Sequence, residues 1–97
     1  MSDRIEKAKR YHEEIRRILL HDWDPIGVSD VPEAQDEYDS YVGGVYRLLI
    51  SRATPQQIFD FLWDVETDRM GLCGSRSRTE HIAQQLQRLI ETIESYA

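Results

Sequence analysis

Apolar side chains recur at three- and four-residue steps over four stretches of the chain, the spacing that places them on one face of an α-helix. The stretches cover about residues 3–20, 36–52, 54–70 and 77–93. None of them alternates apolar and polar residues as a half-buried strand does. The pattern therefore predicts an all-α, four-helix bundle-like fold in a single domain over residues 1–97. The apolar stripes are Ile5, Ala8, Tyr11, Ile15, Ile18 and Leu19; Tyr38, Tyr41, Val42, Val45, Leu48 and Leu49; Ile58, Phe61, Leu62 and Val65; and Ile82, Leu86, Leu89, Ile90 and Ile93.

Two of the predicted helices have sequence signals at their start. Thr54 is followed by Pro55 and by Gln57, which is the pattern of a capping box with proline at the first helical position. Ser77 and Glu80 have the same three-residue spacing and predict a second capping box. For the second helix we expect Asp36 and Glu37 to accept hydrogen bonds at its start.

A long connection over residues 21–35 separates the first two predicted helices. Connections of this length are uncommon in compact domains and tend to be functional or disordered. The apolar residues Trp23 and Ile26 argue for order, and we expect both to pack into the bundle. Asp24 followed by Pro25 is typical of a helix cap and predicts one tight helical turn.

Two adjacent glycines, Gly43 and Gly44, lie in the middle of the second predicted helix. Each costs about 1 kcal/mol of helix stability relative to alanine. A kink or a close crossing with another helix would explain the pair.

Composition and net charge exclude several classes of protein. The 97 residues are 40% apolar and 31% charged, and 18 acids against 12 bases give a net charge of −6. An acidic balance argues against general nucleic-acid binding. No apolar run approaches the 20 or so residues of a membrane-spanning helix, no apolar leader follows Met1, and a single cysteine forms no internal disulfide. The sequence predicts a soluble cytoplasmic protein without a cofactor.

Acidic residues are concentrated in two windows that contain no Lys or Arg, residues 21–39 and 60–68. One explanation is a solvated surface together with acids that suit helix starts. The other is a docking surface for a basic protein partner, with Trp63 among the aromatic residues at its edge. Seven residues are our candidates for partner contact: Trp23, Asp24, Asp36, Glu37, Tyr38, Asp64 and Asp68.

Two further functions stay open. His21 and Asp22 resemble the His-Asp doublet of helical metal-dependent phosphohydrolases, although that chemistry needs several more ligands. A histidine at the negative end of a helix explains His21 more simply. A homodimeric structural protein is the remaining alternative. The aromatic side chains expected at such a dimer interface are Tyr38, Tyr41, Tyr46 and Trp63.

The order of residues 23–27 (WDPIG), Pro32 and residues 37–39 (EYD) resembles a small bacterial family of domains of unknown function. The resemblance implies a compact all-α domain with the WDPIG segment between the first two helices, and it implies no activity. Immunity proteins that neutralise toxins are similar in size and charge alone. The sequence thus favours a non-enzymatic interaction module, immunity-like or adaptor-like, over the metal-dependent hydrolase and the homodimer.

Overall fold

Four α-helices follow one another along the chain, as the apolar pattern predicts. The structure, a computed structural model, describes residues 2–24, 27, 30–34, 36, 38–69, 71 and 75–94. The helices are α1 (Ser2–Arg17), α2 (Asp39–Ile50), α3 (Pro55–Asp64) and α4 (Arg76–Glu94). A first π turn (Ile18–Trp23) extends α1, a second π turn (Val65–Arg69) extends α3, and Pro32–Ala34 form a 3-10 turn. The described ranges contain no strand, so the all-α prediction is confirmed.

The first π turn carries the chain three residues beyond the predicted end of the first helix. Leu20 and Trp23 are both buried in this turn. Asp24 ends it in the left-handed conformation (φ 33°, ψ 58°), and its N–H donates to the carbonyl of Leu19 at 2.9 Å. A short polar residue tolerates that conformation better than most. Asp24 therefore caps the end of this segment, and its carbonyl also accepts the N–H of Gly27 at 3.2 Å, as in the tight turn predicted after it; Pro25 lies outside the described residues.

Helices α2 and α4 both pack antiparallel to α1. Arg16 near the end of α1 pairs with Asp39 at the start of α2 at 2.7 Å, whereas Lys7 near the start of α1 pairs with Glu94 at the end of α4 at 2.8 Å. The predicted apolar stripe of α1 begins too early, since Ile5 is 67% exposed. Ile5 lies two residues before Lys7, whose partner Glu94 is the last residue of α4.

The sequence gives start signals for three helices, and the predicted capping contacts are present at one of them. The predicted box at α3 is present, with the N–H of Gln57 donating to Thr54 Oγ1 at 3.2 Å and the N–H of Thr54 donating to Gln57 Oε1 at 2.8 Å. The box predicted at Ser77 is wrong. Helix α4 begins at Arg76, and Ser75 Oγ accepts the N–H of Arg78 at 3.4 Å instead.

The third start, that of α2, also differs from its prediction. Helix α2 begins at Asp39, three residues later than expected, and its N-cap Tyr38 makes no side-chain capping bond. Asp36 contributes its backbone carbonyl, which accepts the N–H of Asp39 at 3.1 Å, and not its carboxylate. The side chain of Tyr38 is directed into the core, so the aromatic ring rather than an acid fixes the start of α2.

The two glycines of α2 have different surroundings. A Cβ atom on Gly44 would lie 2.6 Å from Cζ of Phe61, so the Phe61 ring of α3 packs directly on α2 at this residue. A Cβ atom on Gly43 would meet no atom within 4 Å. Gly43 lies in a groove of about 340 Å³ between α1 and α2. The groove is lined by His12, Glu13, Arg16, Asp39, Val42 and Gly43.

None of the helices in the described ranges combines the length and apolar content that a membrane crossing requires.

Candidate functional site

A buried cluster of aromatic and polar side chains joins the two π turns. Trp23 is 0% exposed and donates its indole N–H to Glu66 Oε1 at 2.9 Å. Thr79 of α4 donates its hydroxyl to the same carboxylate oxygen at 3.1 Å. Glu66 therefore ties α3 to both α1 and α4 from inside the bundle. We call Trp23, Asp24, Tyr38, Glu66 and Thr79 the Trp23 cluster.

The other half of the cluster joins the two motifs that carry the family resemblance. The hydroxyl of Tyr38 donates to Asp24 Oδ1 at 2.8 Å, and the rings of Trp23 and Tyr38 lie 5.6 Å apart between centroids. The left-handed backbone of Asp24 lets Trp23 point into the core while the adjacent carboxylate reaches Tyr38. In this chain the two motifs thus meet in one buried contact. The predicted packing of Trp23 is confirmed; Ile26 and Glu37 lie outside the described residues.

Glu66 is the least expected member of the cluster. It is 2% exposed, and its second oxygen, Oε2, is the single buried side-chain N or O atom of the described residues that has no hydrogen-bond partner. An unpaired buried oxygen costs about 1–3 kcal/mol of desolvation. Such atoms are rare in native structures and point to a special local role.

Burial corrects the expectation that Trp23 and Tyr38 anchor a partner at the surface. Tyr38 is 1% exposed and Trp23 is completely enclosed, so neither ring has surface to offer. Trp63 is half-buried, stacks on Phe59 with centroids 5.7 Å apart, and has the guanidinium of Arg76 5.5 Å from its ring centroid. These aromatic side chains pack against other residues of the same chain.

The homodimer stays a prediction, because its other aromatic residues keep part of their surface exposed. Tyr41 and Tyr46 are half-buried and pack against the core, as Trp63 does. Tyr46 also contacts His12, with ring centroids 4.7 Å apart. These rings are in contact with the core of their own chain.

Several acids of the first window make ion pairs or hydrogen bonds with other residues of the chain. Asp22 accepts a hydrogen bond from Gln85 Nε2 at 2.7 Å and lies 3.8 Å from the guanidinium of Arg17, and Asp39 pairs with Arg16. The bases of α1 therefore neutralise acids of the first window, not those of the second. The side chains that remain exposed in this window, with no ion pair to a described residue, are Asp30, Glu33 and Asp36.

The second window keeps its charge at the surface except at Glu66. Asp60, Asp64 and Asp68 are exposed and none of them makes an ion pair with a described residue; Asp60 accepts a hydrogen bond from Gln56 Nε2 at 2.9 Å. The Trp23–Glu66 hydrogen bond links a residue of each window beneath the surface. We call Asp60, Asp64 and Asp68 the acidic stripe.

His21 and Asp22 line a groove of about 510 Å³ between the first π turn and α4. The doublet expected for a metal site therefore lies at a concave surface. Within the described part of the chain, however, no three His, Cys, Asp or Glu side chains come close enough together to hold a metal ion.

One polar contact closes the far end of the bundle. The hydroxyl of Tyr11 donates to Glu94 Oε2 at 2.8 Å. Burial and this hydrogen bond raise the pKa of Tyr11 to about 12. Hydrogen bonds from Lys7 and Tyr11 hold the pKa of Glu94 below its usual value. Both pKa shifts favour a neutral Tyr11 and an ionised Glu94. The hydrogen bonds of Lys7 and Tyr11 to Glu94 join α1 to the end of α4.

Comparison with family models, with curated proteins and with solved structures finds no match to this chain.

Proposed function

We propose that this chain is a non-enzymatic protein-interaction module, immunity-like or adaptor-like, and that it binds a basic protein partner through its exposed acids. The acidic stripe is the observation that carries the proposal. Its three carboxylates are spaced four residues apart along α3 and the second π turn, with no Lys or Arg between them.

The acidic stripe lowers the stability of the helix that carries it. Like charges four residues apart destabilise a helix by about 0.2–0.5 kcal/mol per pair. Asp64 and Asp68 also lie towards the negative end of the α3 dipole, where acids are unfavourable. None of the described Lys or Arg side chains makes an ion pair with these three carboxylates. A basic partner would offset both effects, because its charges would face the carboxylates.

Burial of Trp23 and Tyr38 changes the form of the proposed interface. Without those rings as anchors, exposed charge contributes most of the recognition. Charges at the edge of an interface mainly steer encounter and are screened by salt, with a Debye length of about 8 Å at 0.15 M. The proposal therefore implies fast and salt-sensitive binding.

The test is capture from the native host with two baits that have the same net charge. One bait carries Asp64→Lys and Asp68→Lys in the acidic stripe. The control carries Glu80→Lys and Glu91→Lys, two exposed acids of α4 outside both windows. We expect the control to recover the same basic protein as the unmodified chain, and the stripe variant to lose it.

Equal recovery by both baits would contradict the proposal, because the stripe would then be ordinary solvated surface. Equal loss would also contradict it, because general charge attraction would then explain the binding. We do not expect the lysines to unfold the stripe variant, because lysine near a helix C-terminus suits the dipole. Far-UV circular dichroism of both variants checks this point.

A further inference from the structure

The groove between the first π turn and α4 is lined by cationic and hydrogen-bond-donating side chains. Three of them make no ion pair and no side-chain hydrogen bond with another described residue. The lining of the groove comes from two elements. Residues 78, 81, 82 and 85 recur at three- and four-residue steps, so they form one face of α4. The lining residues are His21, Asp22, Arg78, His81, Ile82 and Gln85.

Three of these side chains are exposed and available. His21, Arg78 and His81 make no ion pair and no side-chain hydrogen bond with another described residue. The neighbouring Arg76, by contrast, lies over the rings of Phe59 and Trp63. Arg78 thus presents an unused guanidinium at the concave surface.

The acid in the groove is held by two neighbouring side chains. Asp22 accepts the amide of Gln85 at 2.7 Å and lies 3.8 Å from the guanidinium of Arg17, which also pairs with Glu14 at 2.8 Å. Arg17 thus divides its charge between two carboxylates, and Arg78 supplies the positive charge of the groove that an anion can meet. The first turn of α4 contains no acid, so its dipole adds to the same potential.

We propose that this groove binds a phosphate group of a small molecule. A guanidinium presents paired N–H donors that match two phosphate oxygens, and imidazoles add further donors. A metal ion is a poorer fit, because no three candidate ligands converge within the described residues. The site is independent of the acidic stripe, which lies on α3 and the second π turn.

The test follows the ring signals of the three histidines by NMR while inorganic phosphate is added at constant ionic strength. His21 and His81 line the groove, and His12 lies in the other groove and serves as an internal reference. We expect saturable shifts at His21 and His81 and none at His12. A nucleoside monophosphate and a sugar phosphate, titrated in the same way, show whether a larger ligand binds more tightly than phosphate alone.

Two variants of α4 make the experiment specific. Arg78→Gln removes the guanidinium from the groove, and Arg88→Gln removes an exposed guanidinium of the same helix outside it. We expect Arg78→Gln to weaken phosphate binding by about tenfold or more, and Arg88→Gln to leave it unchanged.

Three results would overturn the proposal. The first is a shift of all three histidines in proportion to phosphate, which indicates a general ionic effect. The second is equal weakening by the two variants. The third is a response of His21 and His81 to Zn²⁺ at stoichiometric amounts with none to any phosphate compound, which would assign the groove to a metal.

Discussion

Alanine substitution at the two adjacent glycines of α2 should have opposite effects on stability. Both positions lie within a regular helix, where alanine is favoured over glycine by about 1 kcal/mol. Gly43→Ala adds a methyl group that meets no atom within 4 Å, so we expect the full gain. In a domain of this size that gain raises the melting temperature by roughly 4–8 °C.

Gly44→Ala receives the same helix gain but introduces a clash. The added methyl carbon would lie 2.6 Å from Cζ and 3.0 Å from Cε1 of Phe61, well inside contact distance. Overpacking of this kind costs about 1–3 kcal/mol. The net result is then between no change and a loss of about 2 kcal/mol, and the two variants differ by about 1–3 kcal/mol.

Urea denaturation of both variants measures the difference in their free energies of unfolding. A further Gly44→Ala variant, made in a protein that also carries Phe61→Leu, identifies the cause of that difference. In a Phe61→Leu protein, which lacks the ring atoms that clash, Gly44→Ala should become stabilising. If Gly43→Ala and Gly44→Ala stabilise the natural chain equally, the Phe61 ring does not restrict the space beside Gly44, and the contact described between them is wrong.

Substitutions at four further positions test other parts of the fold. Trp23→Ala should cost about 3–5 kcal/mol in urea denaturation because it empties a buried aromatic site, whereas Trp23→Phe, which loses the bond to Glu66 but keeps a ring, should cost less. Thr54→Ala should lower the free energy of unfolding by about 1 kcal/mol through loss of the cap, and Thr54→Ser should not. Because the pKa of Tyr11 is raised from 10.0 to about 12, its contribution to stability is complete below pH 10 and should disappear between pH 10 and 12; Tyr11→Phe should lack this step in a pH series. The lowered pKa of Glu94 gives a contribution that is present above pH 4.5 and disappears on further acidification, and Glu94→Gln should lack that step.

The fold class was predictable because apolar periodicity determines which face of each helix is buried. The stripes of α2, α3 and α4 enter the core largely as predicted. The π turns were not predictable from periodicity. Each π turn changes the number of residues per helical turn over five or six residues. Trp23 and Glu66 therefore face a different direction from the one that a regular α-helix would give them. The error at Ser77 is local, because the capping pattern places the start of α4 two residues too late.

The candidate site was only partly accessible from the sequence. The concentration of acids in two windows was visible, but the window over residues 60–68 does not show that Glu66 points inwards while its three neighbouring acids point outwards. Its late position in a helix was a weak signal that it served another purpose. Thr79 gave no signal of its role, because it lies inside the segment predicted as a capping box and in fact donates to Glu66 from within α4. The groove at His21 depends on α4 lying beside the first π turn, which no local pattern indicates.

The salt dependence of partner binding tests the central proposal most directly. The protein recovered by the unmodified chain is purified, and its Kd is measured at low and high salt for the natural chain, for the Asp64→Lys/Asp68→Lys variant and for the Glu80→Lys/Glu91→Lys control. We expect the Kd of the natural chain and of the control to rise together with salt. We expect the stripe variant to bind about tenfold more weakly at low salt and to show little salt dependence. A stripe variant that binds as tightly as the control, with the same salt dependence, would contradict the assignment of the acidic stripe as the binding surface.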